Sequence, residues 1–336
     1  MSRDEVKNTL LSLIQKEFPL TKKPFEKLAQ KLSITEDEVI QILKEEKENS
    51  IIRQISPIYD TKKLGYKSSL VSFKIDEKDI QKATQIINSH PGVSHNYERN
   101  HDFNIWFTIA IAPDSKLGLD KTVELLAKLT NAKDFIILPT LKLFKIQVKL
   151  DTTGNDKKKE KISQKIFKDI TLTSKDKEII SKTQYDLPLT SEPFKNIIQE
   201  LNLDYDEFFN TLQKYKDAGV MRRFAAILNH RKAGFNANAM VVWDIDEKKG
   251  EEIGKTAASF SAVSHCYLRP KYQNWPYNLF TMIHGKTKDE TNSIIEEIAN
   301  EIEYKSKMPL YSTKEFKKQR IIYFNNNFYN WEENFS

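Results

Sequence analysis

The sequence predicts an α+β protein built from two tandem copies of one module, each a helix-turn-helix domain followed by a ferredoxin-like βαββαβ domain, with the copies packed as a pseudo-dimer. Three observations carry this reading. The pentad Val263-Ser264-His265-Cys266-Tyr267 has a near copy 170 residues earlier, Val93-Ser94-His95-Asn96-Tyr97, with Arg269 and Arg99 each two positions further on. Pro19-Leu20-Thr21 and Pro24-Phe25 return at an offset of 169 as Pro188-Leu189-Thr190 and Pro193-Phe194. Arg53 recurs as Arg222, Gly65-Tyr66 as Gly234-Phe235, and Asn104 aligns with Asn278 after a short insertion. A repeat on this scale is one folding unit used twice.

The elements follow in order. Residues 2–18 place Val6, Leu10, Leu11 and Ile14 at helical spacing. A second helix opens at Pro24, whose missing N–H costs nothing in a first turn. A third starts at Thr35, with Glu38 completing a capping box. Strands are expected at 51–59 and 67–75, a helix at 79–89, strands near 93–99 and 103–112, a helix at 119–130 and a strand at 135–148. The lysine-rich stretch around Lys157-Lys158-Lys159 has no hydrophobic period and reads as a linker. The second copy restarts with a helix in 174–186, another opened by Pro193, and a third capped by Asp204 and Glu207, then repeats βαββαβ to about residue 324. The expected domains are therefore 1–60 and 61–150, a linker 151–171, then 172–229 and 230–324; the polar, aromatic tail 325–336 receives no assignment.

At 336 residues the chain is long enough for two cores, and 39% hydrophobic residues can fill them. No apolar run reaches the roughly 20 residues that span a bilayer, and the first residues lack the apolar core of a signal peptide. The single cysteine, Cys266, rules out internal disulfides and fits a reducing, cytoplasmic setting. A net charge of +6 permits an anionic ligand without requiring one.

A recognition helix that reads DNA presents basic or small polar residues to phosphates. Here residues 35–47 carry five acidic residues against Lys44 and Lys47, and 203–217 carry four against Lys214 and Lys216, net charges of −3 and −2. Both helices would repel a duplex, so nucleic-acid binding is expected to be weak or absent.

Alternate side chains of a strand share a face. His265, Tyr267 and Arg269 should point one way, and Ser264 and Cys266 the other. Asn278, Phe280, Met282 and His284 should share a face of the next strand. A lone histidine on a strand is usually structural, and a basic loop is usually just solvated. Yet four of the six histidines, His95, His101, His265 and His284, fall in or beside the repeated motifs. His230-Arg231-Lys232 and Arg222-Arg223 add a basic cluster just before Gly234. Imidazoles, guanidinium groups and the rings of Trp275 and Tyr277 together suit a flat, aromatic, multiply anionic ligand. No His/Cys spacing marks a metal site, Cys266 faces away from His265, and no Gly-rich phosphate loop is present.

The helix-turn-helix and ferredoxin-like order resembles the Lrp/AsnC architecture. The string His230-Arg231-Lys232-Ala233-Gly234-Phe235, continuing through Ala237-Asn238-Ala239-Met240 to Trp243, closely resembles the siroheme decarboxylases, as do Val263 to Tyr267 with Arg269-Pro270 and Trp275-Pro276-Tyr277-Asn278 through to His284-Gly285. These are Lrp-like enzymes of haem d1 and alternative haem biosynthesis that act as two related subunits. Copy two resembles the B-type subunit and copy one, with Val93 to Arg99 and Asn104, is similar to the A-type.

The resemblance implies removal of the C12 and C18 acetate carboxyls of siroheme as carbon dioxide. It implies a proton donor, with His230 and His265 in that role and Tyr267 as the alternative. Arg222, Arg231 and Arg269 would hold carboxylates that stay; Arg223, Lys232, Trp275, Tyr277, Asn278 and His284, with His95, Tyr97 and Arg99 of copy one, would complete the substrate site. No cofactor and no protein-bound metal are expected, since the iron comes with the siroheme. Further self-association and contact with other tetrapyrrole-pathway enzymes stay open. A regulator of Lrp type that senses a tetrapyrrole or another small ligand is the competing reading, and a non-catalytic haem carrier the third.

Overall fold

The computed structural model describes residues 2–146, 167, 170–229 and 237–335. The chain divides into two compact units, one of Met1–Gly65, Lys165–Lys232 and Ile322–Asn325, the other of Tyr66–Gln164, Ala233–Ile321 and Asn326–Ser336.

The first unit contains α1 (Arg3–Lys16), α2 (Pro24–Leu32), α3 (Glu36–Glu48) and β1 (Ile52–Tyr59). Their counterparts are α6 (Ser174–Thr183), α7 (Lys195–Glu200), α8 (Tyr205–Asp217) and β7 (Met221–Leu228). The caps are where the sequence places them: Thr35 with Glu38 on α3 and Asp204 with Glu207 on α8 both close capping boxes. The first helix ends at Lys16, short of the expected residue 18, because Phe18 turns away to donate its N–H to Phe224 O (2.7 Å). Leu187, its equivalent, donates to Ile55 O (2.8 Å), the equivalent of Phe224. Each copy thus tethers its first helix to the other copy's strand, and β1 and β7 pair antiparallel from Ile52–Leu228 to Tyr59–Met221.

The second unit holds β2 (Lys67–Lys74), α4 (Ile80–Ser89), β3 (Val93–Arg99), β4 (Ile105–Ile111), α5 (Gly118–Leu129), β5 (Asp134–Pro139) and β6 (Lys142–Ile146) from copy one. Copy two supplies β8 (Ala237–Asp244), α9 (Gly250–Ser259), β9 (Val263–Leu268), β10 (Leu279–Gly285), α10 (Lys288–Glu301) and β11 (Ser306–Lys318). The nine strands form one sheet in the order β5-β2-β4-β3-β11-β8-β10-β9-β6.

The single strand expected at 135–148 is two. The chain breaks at Thr140-Leu141, so that β5 pairs with β2 of its own copy and β6 pairs with β9 of the other. β11 does the same without a break, its first half on β8 and its second half on β3. The copies therefore exchange strand ends and share a sheet, which is how the pseudo-dimer closes.

Reciprocal contacts lock the exchange. Arg99 Nη1 donates to Leu310 O (2.7 Å), and Arg269 Nη1 donates to Leu138 O. Lys145 Nζ donates to Phe260 O (2.9 Å) just beyond α9, and Lys317 Nζ to Asn88 O (2.7 Å) at the end of α4. Gly254 of α9 lets β6 approach, since a Cβ there would lie 2.2 Å from the Phe144 ring.

The helices cover one face of the sheet, over cores around Trp243, Val263 and Ile283 in copy two and around Phe73, Ile87 and Phe107 in copy one. The opposite face gathers side chains of both copies into a third core, including Trp106, Leu138, Met240, Trp275, Phe280 and Leu310. The unassigned tail forms α11 (Asn327–Phe335). Trp331 packs edge-on to the buried His90 (4.4 Å), and Glu332 accepts from Lys116 N (3.0 Å) and Ser115 Oγ.

Candidate active site

A β-bulge sets the geometry of the repeated motif. In the β9–β10 pairing, Met282 lies opposite His265 but Ile283 lies opposite Val263, leaving Ser264 as the extra residue. Simple alternation would send Ser264 and His265 to opposite faces; a bulge breaks that alternation locally. The expectation that Ser264 points away from His265 is therefore corrected. Ser264 Oγ lies 2.7 Å from His265 Nδ1 and 2.6 Å from His284 Nε2. His284 Nδ1 in turn lies 2.9 Å from Asn238 Oδ1, directly opposite it in the β8–β10 register.

Four side chains on three neighbouring strands thus form one hydrogen-bonded row, with Ser264 buried and both imidazoles half-buried. Tyr267 stacks on His265 at 6.2 Å, and Met282 and Tyr277 border the same core.

Copy one has the same bulge, with Val93 opposite Ile109 and His95 opposite Thr108. There Ser94 Oγ meets His95 Nδ1 (3.0 Å) and the Thr108 hydroxyl (2.7 Å). The pair that faces across β2 and β4 is Ser68 and Ala110, where copy two has Asn238 and His284. Tyr97 stacks on His95 as Tyr267 does on His265. Copy one keeps the first imidazole and lacks the second.

Several expected ligands have other work. Asn278 accepts from Ile245 N (3.0 Å) and donates to Ile245 O (3.2 Å), as Asn104 does with Ile75 at 2.9 and 2.8 Å. Its buried amide is spent on the backbone, so the substrate contact expected of it is replaced by a structural one. Arg269, expected to hold a carboxylate, and Arg99, expected in the substrate site, are 8% and 5% exposed and serve the strand exchange. Burial pulls both guanidinium groups down to about 10, and the Arg269 group sits over the Tyr267 (4.9 Å) and Phe280 rings (5.4 Å). Trp275, expected to cover a ligand, is 1% exposed and packs on Trp106, His101 and Tyr277.

Arg222 and Arg223 belong to the first unit. There Arg222 is ion-paired with Asp60 (2.8 Å), while Arg223 is half-buried and its pKa is lowered by desolvation. His230, Arg231 and Lys232 lie outside the described residues, in the segment that runs into β8. Cys266 is fully buried on the helix side, its Sγ 3.6 Å from Gly254 O, and desolvation raises its pKa. That leaves it unsuited to nucleophilic chemistry. Among the described residues no cluster of His, Cys, Asp or Glu could hold a metal ion.

Comparison with known proteins agrees with this architecture. The AsnC-like ligand binding domain matches residues 63–145 and 232–317, and the siroheme decarboxylase NirDL-like HTH domain matches 7–53 and 176–222. A siroheme decarboxylase of Hydrogenobacter thermophilus is 42% identical over 96% of this chain and 96% of its own length. The chain belongs to the siroheme decarboxylase family.

A siroheme decarboxylase beta subunit of Methanosarcina barkeri is 38% identical and matches 44% of this chain along 96% of its own length, so the family includes the single module as well as the fused pair. The crystal structure of the siroheme decarboxylase NirDL superposes with a TM-score of 0.79 at 37% identity, covering 98% of both chains. A second crystal structure of NirDL, in co-complex with an iron-uroporphyrin III analogue, gives 0.79 at 36% identity and the same coverage.

The shared double module accounts for the duplicated folds of this siroheme decarboxylase. The row of Asn238, His284, Ser264 and His265 is what sequence reasoning missed. Its signal was available in the repeat, where copy two replaces Ser68 and Ala110 by a hydrogen-bonding amide and an imidazole.

Proposed function

We propose that this chain is a carboxy-lyase that removes the C12 and C18 acetate carboxyls of siroheme, giving 12,18-didecarboxysiroheme. Each step breaks the bond between the arm's methylene and its carboxylate. Carbon dioxide leaves, the bonding pair stays with the methylene and its macrocycle, and one proton completes the methyl group. The balance needs a proton donor and no electron acceptor. The iron belongs to the substrate.

The observation that carries this reading is the imidazole pair of copy two, hydrogen-bonded in a row at the border of an aromatic core. His265 is the proposed donor, with its ring fixed by Ser264 and stacked against Tyr267. Tyr267 is the alternative donor, and His230 keeps its expected part as a second donor. Arg222, Arg223, Arg231 and Lys232 are proposed to hold carboxylates that remain. A cation clamped on the departing carboxylate would stabilise the ground state more than the transition state. Transfer of that carboxylate from water to the apolar border near Tyr267, Tyr277 and Met282 would do the reverse.

The test is anaerobic incubation of the purified protein with siroheme, with the pigment followed by mass. Loss of two carbon dioxide units is the expected result. Bound but unchanged siroheme would instead identify a carrier. Tight, salt-sensitive promoter binding without turnover would identify a regulator.

A further inference from the structure

We propose that Ser264 and Asn238, with His284, form a proton relay that loads His265. This rests on the reading of His265 as donor and adds what recharges it. The polarity follows from the contacts. Asn238 presents Oδ1, an acceptor, to His284 Nδ1, so that nitrogen carries hydrogen. In neutral His284 the other nitrogen, Nε2, is then an acceptor, and the Ser264 hydroxyl donates to it across 2.6 Å. The Ser264 oxygen accepts in turn from His265 Nδ1–H at 2.7 Å. The row so described has delivered its proton.

Adding one proton from solvent at His265 Nε2 reverses every link: the His265 Nδ1 proton passes to Ser264 Oγ, and the serine proton passes to His284 Nε2. His284 becomes an imidazolium that donates to both Asn238 Oδ1 and Ser264 Oγ. Ser264 then donates to His265 Nδ1, and the added hydrogen stays on His265 Nε2, the nitrogen on the far side of the ring from Ser264. When that proton passes to the substrate methylene, the serine proton moves to Nδ1 and the His284 proton moves to Ser264. The row is left neutral and in its first polarity, and one proton from solvent restores it. Two protons are needed for two carboxyls, so a row that resets by small shifts suits a donor that must act twice. Asn238 fixes the direction, because an amide oxygen stabilises the His284 imidazolium without competing for its proton. In this scheme Ser264, His284 and Asn238 are positioning residues, and only His265 touches the reacting atoms.

The bulge is the structural reason that a serine can join two imidazoles on adjacent strands. In copy one the same bulged serine meets Thr108, and Ala110 stands where the second imidazole would be. The relay is therefore built into one copy only.

Three measurements with siroheme under single-turnover conditions test this. His265→Ala comes first: unchanged decarboxylation would remove the donor itself and so overturn the reading beneath the relay. With that loss in hand, Ser264→Ala and His284→Gln should each lower the chemical rate roughly 10²-fold, while spectral titration shows siroheme binding as in the unaltered protein. The double variant should lose no more than either single one, because both cut the same row. The proton inventory in mixed H₂O and D₂O should be curved for the unaltered protein and linear for Ser264→Ala. Losses that multiply in the double variant, or a Ser264→Ala rate within about threefold of normal, would overturn the relay while leaving His265 as donor.

Discussion

At the scale of residues, the two copies are each other's control. His95 and His265 share strand position, bulge, serine partner and stacked tyrosine, and differ in what lies beyond the serine. His265→Ala is expected to lower turnover by the 10²–10⁴-fold typical of losing a general acid, with pigment binding kept, and His95→Ala to cost far less. Equal losses in the two variants, measured as single-turnover rates, would show that both copies act or that one site draws on both. The histidines were legible because they fall in or beside the repeated motifs, although the row that joins His265 to His284 was not. The backbone partners of Arg269 and Asn278 were not legible, for a physical reason. Alternation says which face a side chain takes but not that a backbone carbonyl of the exchanged strand, or of Ile245, waits on that face.

At the scale of elements, local signals located most helices. Capping boxes at Thr35 and Asp204 depend only on residues three apart, so the sequence shows them directly. The break at Thr140-Leu141 and the exchange of β6 and β11 depend on contacts far apart in the chain, and no local pattern encodes them. The tail was equally opaque, since α11 is a short helix whose Phe328 and Trp331 only make sense against the surface they cover.

That surface includes His90, which gives α11 a pH dependence. His90 Nδ1 accepts from Gly92 N (3.0 Å), and burial pulls the imidazole down to about 3 from its ordinary 6.5. A group whose folded pKa is depressed stabilises the fold above its unfolded pKa and loses that contribution as pH falls towards the folded value. Acidification below about 6.5 should therefore destabilise the protein by up to about 1.4 kcal/mol per pH unit through this one residue. His90→Phe, which copies the Phe260 of the other half, should flatten that slope between pH 6.5 and 4 in urea titrations monitored by tryptophan fluorescence. An unchanged slope would place the acid sensitivity elsewhere.

At the scale of the whole molecule, the family's double module explains why both helix-turn-helix segments persist without a basic recognition surface. α3 opens with Glu36, Asp37 and Glu38, and α8 with Asp206 and Glu207, so phosphates would meet carboxylates at both helix starts. Duplex binding is expected to be weak, with no promoter-specific shift at physiological salt in an electrophoretic assay. A nanomolar, salt-steep shift would move the regulator reading to first place.

The fusion itself makes a further demand. Each copy donates a strand end to the other: β6 lies along β9, and the second half of β11 lies along β3. β1 and β7 pair in the other unit as well. Three antiparallel ladders, the carbonyl contacts of Arg99 and Arg269 and the helix-end contacts of Lys145 and Lys317 thus join the copies independently of the covalent connection between them. A protease site placed at Lys157-Lys158-Lys159 should, once cut, leave two fragments that co-elute on gel filtration and keep decarboxylating siroheme. Expressed alone, one half would expose the unpaired edge of β3 and the other the unpaired edge of β9, which are templates for aggregation, and each should be poorly soluble. Co-expression of the two halves should restore both solubility and activity. Fragments that separate after cleavage would mean that the connection, rather than the exchanged strands, holds the copies together.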